Sequence, residues 1–105
     1  MRQIMDQVES PAVGVCWNSN DQDLEGAGLD ENFAMLKDRF GATLHVRELN
    51  IGDYPYSRLM QLLVAMNYGG WVLLECRTDP ADRVAAMREQ REVFHAMIAA
   101  AQANA

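Results

Sequence analysis

Three polar side chains accompany the apolar runs of this sequence and together could bind a metal ion. Asn18 follows the first apolar run, His45 lies inside the second, and Glu75 lies near the end of the third. An imidazole nitrogen with amide and carboxylate oxygens forms a mixed ligand set that suits Mn²⁺, Mg²⁺, Co²⁺ or Zn²⁺. A divalent ion at this point would polarise a carbonyl while the carboxylate moves a proton at the neighbouring carbon.

The same residues also have a plainer interpretation. A single histidine in a strand is more often a hydrogen-bonded core or interface residue than a metal ligand, and Glu75 could form an ion pair with Arg77 or Arg47. A long loop over residues 18–28 carries acidic side chains that we expect to be solvated, namely Asp21, Asp23 and Glu25.

The apolar runs near residues 12–17, 43–49 and 71–76 are predicted to be strands. The second run alternates apolar side chains with His45 and Arg47, which usually means one buried face and one wet face. Segments around these runs carry apolar residues at helical spacing, so the predicted order is α-β-α-β-α-β-α. Strands that alternate with helices form parallel sheets, and their carboxyl ends, where sites gather, lie at one edge.

The helix boundaries follow from capping residues. Asp30 is predicted to cap the second helix, and Thr78 or Asp79 the last helix, with Pro80 in its first turn. The last helix is expected to bury an apolar stripe formed by Val84, Met87, Phe94 and Ile98.

A fold class follows from the number of apolar faces. Each predicted helix has one apolar stripe, enough to cover one face of a three-stranded sheet. The other face would be too polar for a simple core, since it would hold Gly14, Cys16, Thr43, His45 and Arg47. A closed barrel would cover that face, so we predict an α/β fold: a partial (β/α)8 TIM barrel with about three C-terminal βα units and a parallel sheet. It would form one domain over residues 1–105. The alternative is a three-layer α/β sandwich with helices on both faces.

The composition limits the possible binding partners and the possible cellular location of the protein. The net charge of −6 argues against general affinity for nucleic acid or anionic membranes. The sequence lacks an apolar run of the roughly 20 residues needed to cross a bilayer, and its start lacks the apolar core of a signal peptide. Cys16 and Cys76 lie in strand-like runs without metal-site spacing, which predicts buried thiols in a reducing cytoplasm.

Three motifs resemble those of one enzyme family. They are SPAVGVCWN at residues 10–18, LHVRE at residues 44–48 and NYGGWVLLE at residues 67–75. Their order and spacing resemble the closing strands of the sugar phosphate isomerase/epimerase family, part of the xylose isomerase-like TIM-barrel superfamily that also contains endonuclease IV. The likeness covers nearly the whole chain.

The resemblance implies roles for individual residues. His45 resembles the family's metal-binding histidine, and Glu75 resembles a glutamate that both binds the metal and transfers protons. Asn18 stands where the family has an aspartate, a substitution that should weaken the metal site. Arg77 and Arg47 are candidates for binding a substrate phosphate or hydroxyl.

The predicted function is that of the C-terminal part of a divalent-metal-dependent isomerase or epimerase, acting on a small sugar or hydroxy-carbonyl compound. The family's further catalytic glutamate, from an earlier strand, has no counterpart here, so the chain alone is expected to be inactive and enzyme status stays open. The alternative is a non-catalytic partial-barrel association module that forms a homo-oligomer or joins the missing barrel half, because exposed strand edges favour pairing. An endonuclease IV-like activity needs many histidines, whereas this chain has His45 and His95.

Overall fold

The computed structural model describes residues 2–104 and, within them, two parallel strands and four α-helices. In chain order the elements are α1 (Arg2–Met5), α2 (Leu29–Leu36), β1 (Thr43–Val46), α3 (Tyr56–Ala65), β2 (Trp71–Leu74) and α4 (Arg83–Ala103). Short 3-10 turns occupy Asp21–Leu24 and Lys37–Arg39.

The sheet is a parallel pair with an irregular segment along one side. β1 and β2 pair in register, so that His45 lies opposite Leu73. The predicted first strand instead forms two isolated parallel bridges, Val15 with Phe40 and Asn18 with His45. These bridges are three residues apart on one side (15 to 18) and five on the other (40 to 45), so they cannot belong to one regular ladder.

The predicted partial (β/α)8 TIM barrel is therefore wrong. Two short strands replace the three longer strands on which that prediction rested, since β1 ends at Val46 and β2 ends at Leu74. The three-layer sandwich is also wrong, because within residues 2–104 helices pack against only one face of the sheet. Burial alternates along β1: Leu44 and Val46 are buried, whereas Thr43 and His45 are half-buried. One face of the strand is therefore covered by the core and the other faces solvent.

The core lies between the covered face of the sheet and the helices. Leu44 and Val46 of β1 are almost fully buried against Leu59, Met60 and Leu63 of α3. The other buried members of this core are Trp17, Leu29, Phe33, Leu49, Tyr56 and Ala101. Burial of such side chains supplies most of the stability, at about 1.5–3 kcal/mol each.

The starts of α2 and α4 differ from the predicted helix starts. α4 starts at Arg83, where the Asp82 side chain accepts a hydrogen bond from the Ala85 N–H at 3.0 Å. Its first turns point Val84 and Met87 into solvent, so the predicted apolar stripe is wrong at these two positions. α2 starts after Gly28, which has a positive φ of 93°. This start places Asp30 inside the first turn of α2, not at the capping position.

The prediction that both cysteine thiols are buried is also wrong. Cys16 and Cys76 are both free and exposed, because each lies at the uncovered side or at the end of its strand-like run. Across residues 2–104, none of the helices combines the length and apolar character that a membrane span requires.

Candidate functional site

The face of the sheet opposite the core is uncovered within residues 2–104, and we call it the open face. It consists of alternate side chains from three adjacent segments, since side chains in extended backbone alternate between faces. Its members are Cys16, Asn18, Asn20, Thr43, His45, Arg47, Trp71, Leu73 and Glu75.

Asn18, His45 and Glu75 are neighbours on the open face, as predicted. The backbones of Asn18 and His45 are bridged, and the His45 N–H donates to the Trp17 carbonyl at 2.8 Å. On the other side, the Glu75 N–H donates to the Val46 carbonyl at 2.7 Å. This pairing brings a carboxylate oxygen of Glu75 to 3.4 Å from His45 Nδ1.

The His45–Glu75 separation fits two ligands of one metal ion. Two ligands about 2.1 Å from a tetrahedral ion lie about 3.4 Å apart, and the two side-chain atoms are 3.4 Å apart here. Residues 2–104 contain no cluster of three or more His, Cys, Asp or Glu side chains suited to a metal. The third predicted ligand, Asn18, offers only a neutral amide oxygen, which favours weak binding.

A thiol and a hydroxyl lie at the amino-terminal end of the strands on the open face. Cys16 Sγ is 3.8 Å from Thr43 Oγ1 and 4.0 Å from Asn18 Oδ1. Both are weak polar contacts, because sulfur is a poor donor and a poor acceptor. They show that Cys16, Asn18 and Thr43 share one surface.

Arg47 lies at the carboxyl end of the open face. Its Nη2 donates to Asn20 Oδ1 at 2.7 Å, and its backbone N–H donates to the Tyr56 hydroxyl at 2.9 Å. Arg77 lies two residues beyond Glu75 and is exposed. Both predicted substrate-binding cations thus belong to the segments that carry His45 and Glu75.

A polar network beside Arg47 was missed by the sequence interpretation. Asp23 is half-buried, and its carboxylate accepts hydrogen bonds from the Tyr54 hydroxyl at 2.7 Å and the Asn20 N–H at 2.8 Å. Burial raises the pKa of the Asp23 carboxyl, while these bonds and nearby Arg47 oppose that shift. Burial also raises the pKa of the Tyr54 hydroxyl well above its usual range. The expectation that Asp23 is a solvated charge is therefore wrong.

A sequence signal for this network did exist. Asn20 and Asp23 are three residues apart, the spacing of a capping box at the start of a helical turn. The 3-10 turn Asp21–Leu24 begins directly after Asn20. Trp17 Nε1 also donates to the Tyr54 hydroxyl at 3.3 Å, which ties the loop to the core.

Glu48 fixes the segment that follows β2. It is buried, and its carboxylate accepts hydrogen bonds from the Arg77 N–H at 2.9 Å, the Thr78 N–H at 2.7 Å and the Thr78 hydroxyl. The Thr78 hydroxyl bond is the main reason that the pKa of Glu48 falls to about 2. Because these bonds anchor residues 77 and 78, Glu48 also fixes the position of Glu75, two residues earlier.

Comparisons with protein-family models, with curated protein sequences and with solved structures found no match for this chain.

Proposed function

We propose that the open face transfers a proton at the carbon beside the carbonyl of a small hydroxy-carbonyl compound, as isomerases and epimerases of sugars or sugar phosphates do. The observation that carries this proposal is the 3.4 Å contact between His45 Nδ1 and the Glu75 carboxylate. The contact lies at the carboxyl end of a parallel strand pair, where α/β proteins place their sites. The three motifs that resemble the isomerase/epimerase family end in or contain the same residues.

Glu75 is the proton-transfer group in this proposal. Its side chain is 57% exposed, so a ligand can reach its carboxylate, and the 35% exposed His45 side chain lies beside it. A carboxylate can remove the weakly acidic proton next to a carbonyl when it is held within hydrogen-bond reach of that carbon. His45 Nδ1, 3.4 Å from the Glu75 carboxylate, would bind the divalent ion beside Glu75, and the Nε2–H of His45 would donate a hydrogen bond to a substrate oxygen.

Arg47 would hold the anionic or polar end of the substrate. Within residues 2–104 its guanidinium forms no ion pair with a carboxylate, and its Nη2 instead donates to the neutral Asn20 amide. Guanidinium groups suit phosphate oxygens because they present several N–H donors in one plane. Arg77 is the second candidate for this contact.

A divalent ion, Mn²⁺, Mg²⁺, Co²⁺ or Zn²⁺, belongs to the same proposal. It would be held by Asn18, His45 and Glu75 and, when bound, would polarise the carbonyl of the substrate. We also propose a cytoplasmic location, where free exposed thiols such as Cys16 and Cys76 stay reduced.

Deuterium exchange tests this proposal without knowledge of the natural substrate. The full chain is incubated in D2O with a panel of aldose and ketose phosphates, with and without Mn²⁺, and deuterium at the carbon next to the carbonyl is read by NMR. We expect exchange above the buffer rate that is lost in Glu75→Gln. The matched control is Glu92→Gln, which changes an exposed carboxylate on α4, across the core from the open face. Exchange at the buffer rate for every compound and metal condition would overturn the proposal.

A further inference from the structure

The open face carries large apolar side chains that a solvated sheet does not need. Trp71 is 72% exposed and Leu73 is 41% exposed, and both lie on β2 beside the polar residues of β1. Contiguous exposed apolar surface on a soluble protein often marks an interaction site.

The charged side chains on the same face indicate which kind of partner could bind over it. The register pairs Thr43 with Trp71 and His45 with Leu73, and its continuation places Arg47 beside Glu75. One end of the face therefore carries a cation on the β1 side and an anion on the β2 side. A face with both signs in adjacent columns is complementary to itself when the columns are exchanged.

We propose that a second copy of this chain covers the open face, related by a two-fold axis that runs along the strands between β1 and β2. This axis places β1 of one copy over β2 of the other. Arg47 then meets the partner's Glu75, and Glu75 meets the partner's Arg47. Trp71 packs over the partner's Thr43, and Leu73 packs over the partner's His45.

The spacing of packed sheets permits these contacts. Sheets that pack face to face lie about 10 Å apart, a gap that arginine and glutamate side chains together can span. The covered apolar patch is small and each copy carries a net charge of −6. The association should therefore be weak, with a dissociation constant in the micromolar range at physiological salt.

This inference goes beyond the proposed function and does not depend on it. In the dimer Arg47 and Glu75 are paired with the partner's Glu75 and the partner's Arg47, so the proposed reaction takes place on the monomer, and substrate binding competes with dimer formation. Loss of dimer formation and loss of deuterium exchange are separate readouts. Either inference can fail while the other holds.

Charge exchange tests the proposed contact directly. Arg47→Glu and Glu75→Arg each place like charges together twice in the dimer, so each variant alone should dissociate at least about tenfold more readily than the wild type. An equimolar mixture of the two variants restores both opposite-charge pairs and should recover the dimer. Sedimentation velocity over a concentration series reports the dissociation constants, and circular dichroism confirms that each variant is folded.

A second pair of variants tests the apolar part of the contact. Trp71→Ser should weaken the dimer about tenfold or more, because the indole supplies most of the buried apolar area. Val84→Ser is the matched control, since Val84 is 62% exposed and lies on α4. A wild-type monomer at millimolar concentration would overturn the inference. So would a dimer that is unaffected by Trp71→Ser and by both charge changes, or a mixture that stays monomeric although both variants are folded.

Discussion

Replacing Glu48 by glutamine should destabilise the protein in a way that depends on pH. The carboxylate accepts hydrogen bonds from the Arg77 N–H, the Thr78 N–H and the Thr78 hydroxyl. Glutamine keeps the shape but replaces one acceptor oxygen by a donor and removes the charge. Hydrogen bonds to a charged group are worth about 1.5–3 kcal/mol, against about 0.5–1.5 kcal/mol for neutral ones.

The expected loss is about 2 kcal/mol in the free energy of unfolding at neutral pH, because the charge assistance disappears and one backbone N–H faces a donor. For a domain of this size, each kcal/mol lowers Tm by about 4–8 °C. Glu48→Gln should therefore lower Tm by about 8–16 °C at pH 7.

The pH dependence has a definite sign. The pKa of Glu48 lies near 2 in the folded chain, below its ordinary value of 4.5. The carboxylate thus contributes stability that is fully present above about pH 4.5 and is lost as the pH falls towards 2. The difference in Tm between wild type and Glu48→Gln should shrink over this range.

Thermal unfolding followed by circular dichroism between pH 3 and pH 7 measures both effects. Glu92→Gln is the control, because Glu92 is exposed on α4. A Glu48→Gln variant that unfolds with the wild type at pH 7, or a Tm difference that is constant down to pH 3, would refute the assigned role of Glu48.

Three further substitutions test the fold around the open face by urea or thermal unfolding. Leu44→Ala should lower the free energy of unfolding by about 3 kcal/mol, since the Leu44 side chain is 1% exposed and its removal leaves a cavity in the core. A loss below about 1 kcal/mol would contradict that packing. Tyr54→Phe should cost about 1–2 kcal/mol by removing a hydrogen bond from half-buried Asp23, and an unchanged stability would place that carboxylate in water. Gly14→Ala should destabilise because the new Cβ would lie 2.8 Å from the Gly41 Cα, and a variant as stable as the wild type would refute this close approach.

The apolar pattern predicted the strands and helices better than it predicted their assembly. Alternation in residues 43–49 located β1, and the run 71–76 located β2, although both strands end earlier. The segment 12–17 lies beside β1, as a strand there would, but its offset bridges prevent a regular ladder. That offset depends on contacts with residues 40–45, and the pattern of residues within segment 12–17 does not predict contacts so distant in sequence.

The candidate site was partly predictable for a similar reason. Positions at strand ends are fixed by the order of the elements, so Asn18, His45 and Glu75 were expected together and do lie together. The roles of Asp23 and Glu48 depend on loops that fold back on the strands. Their partners, Tyr54 and Thr78, are about 30 residues away in sequence.

We propose that the His45–Glu75 pair on the open face binds the substrate. Chemical-shift mapping of the isotope-labelled chain, titrated with a ketose phosphate in the presence of Mg²⁺, tests it most directly. We expect the largest changes at His45, Arg47 and Glu75, and their loss in Glu75→Gln but not in Glu92→Gln. Chemical-shift changes confined to α4, or no changes at millimolar ligand, would contradict substrate binding by this pair.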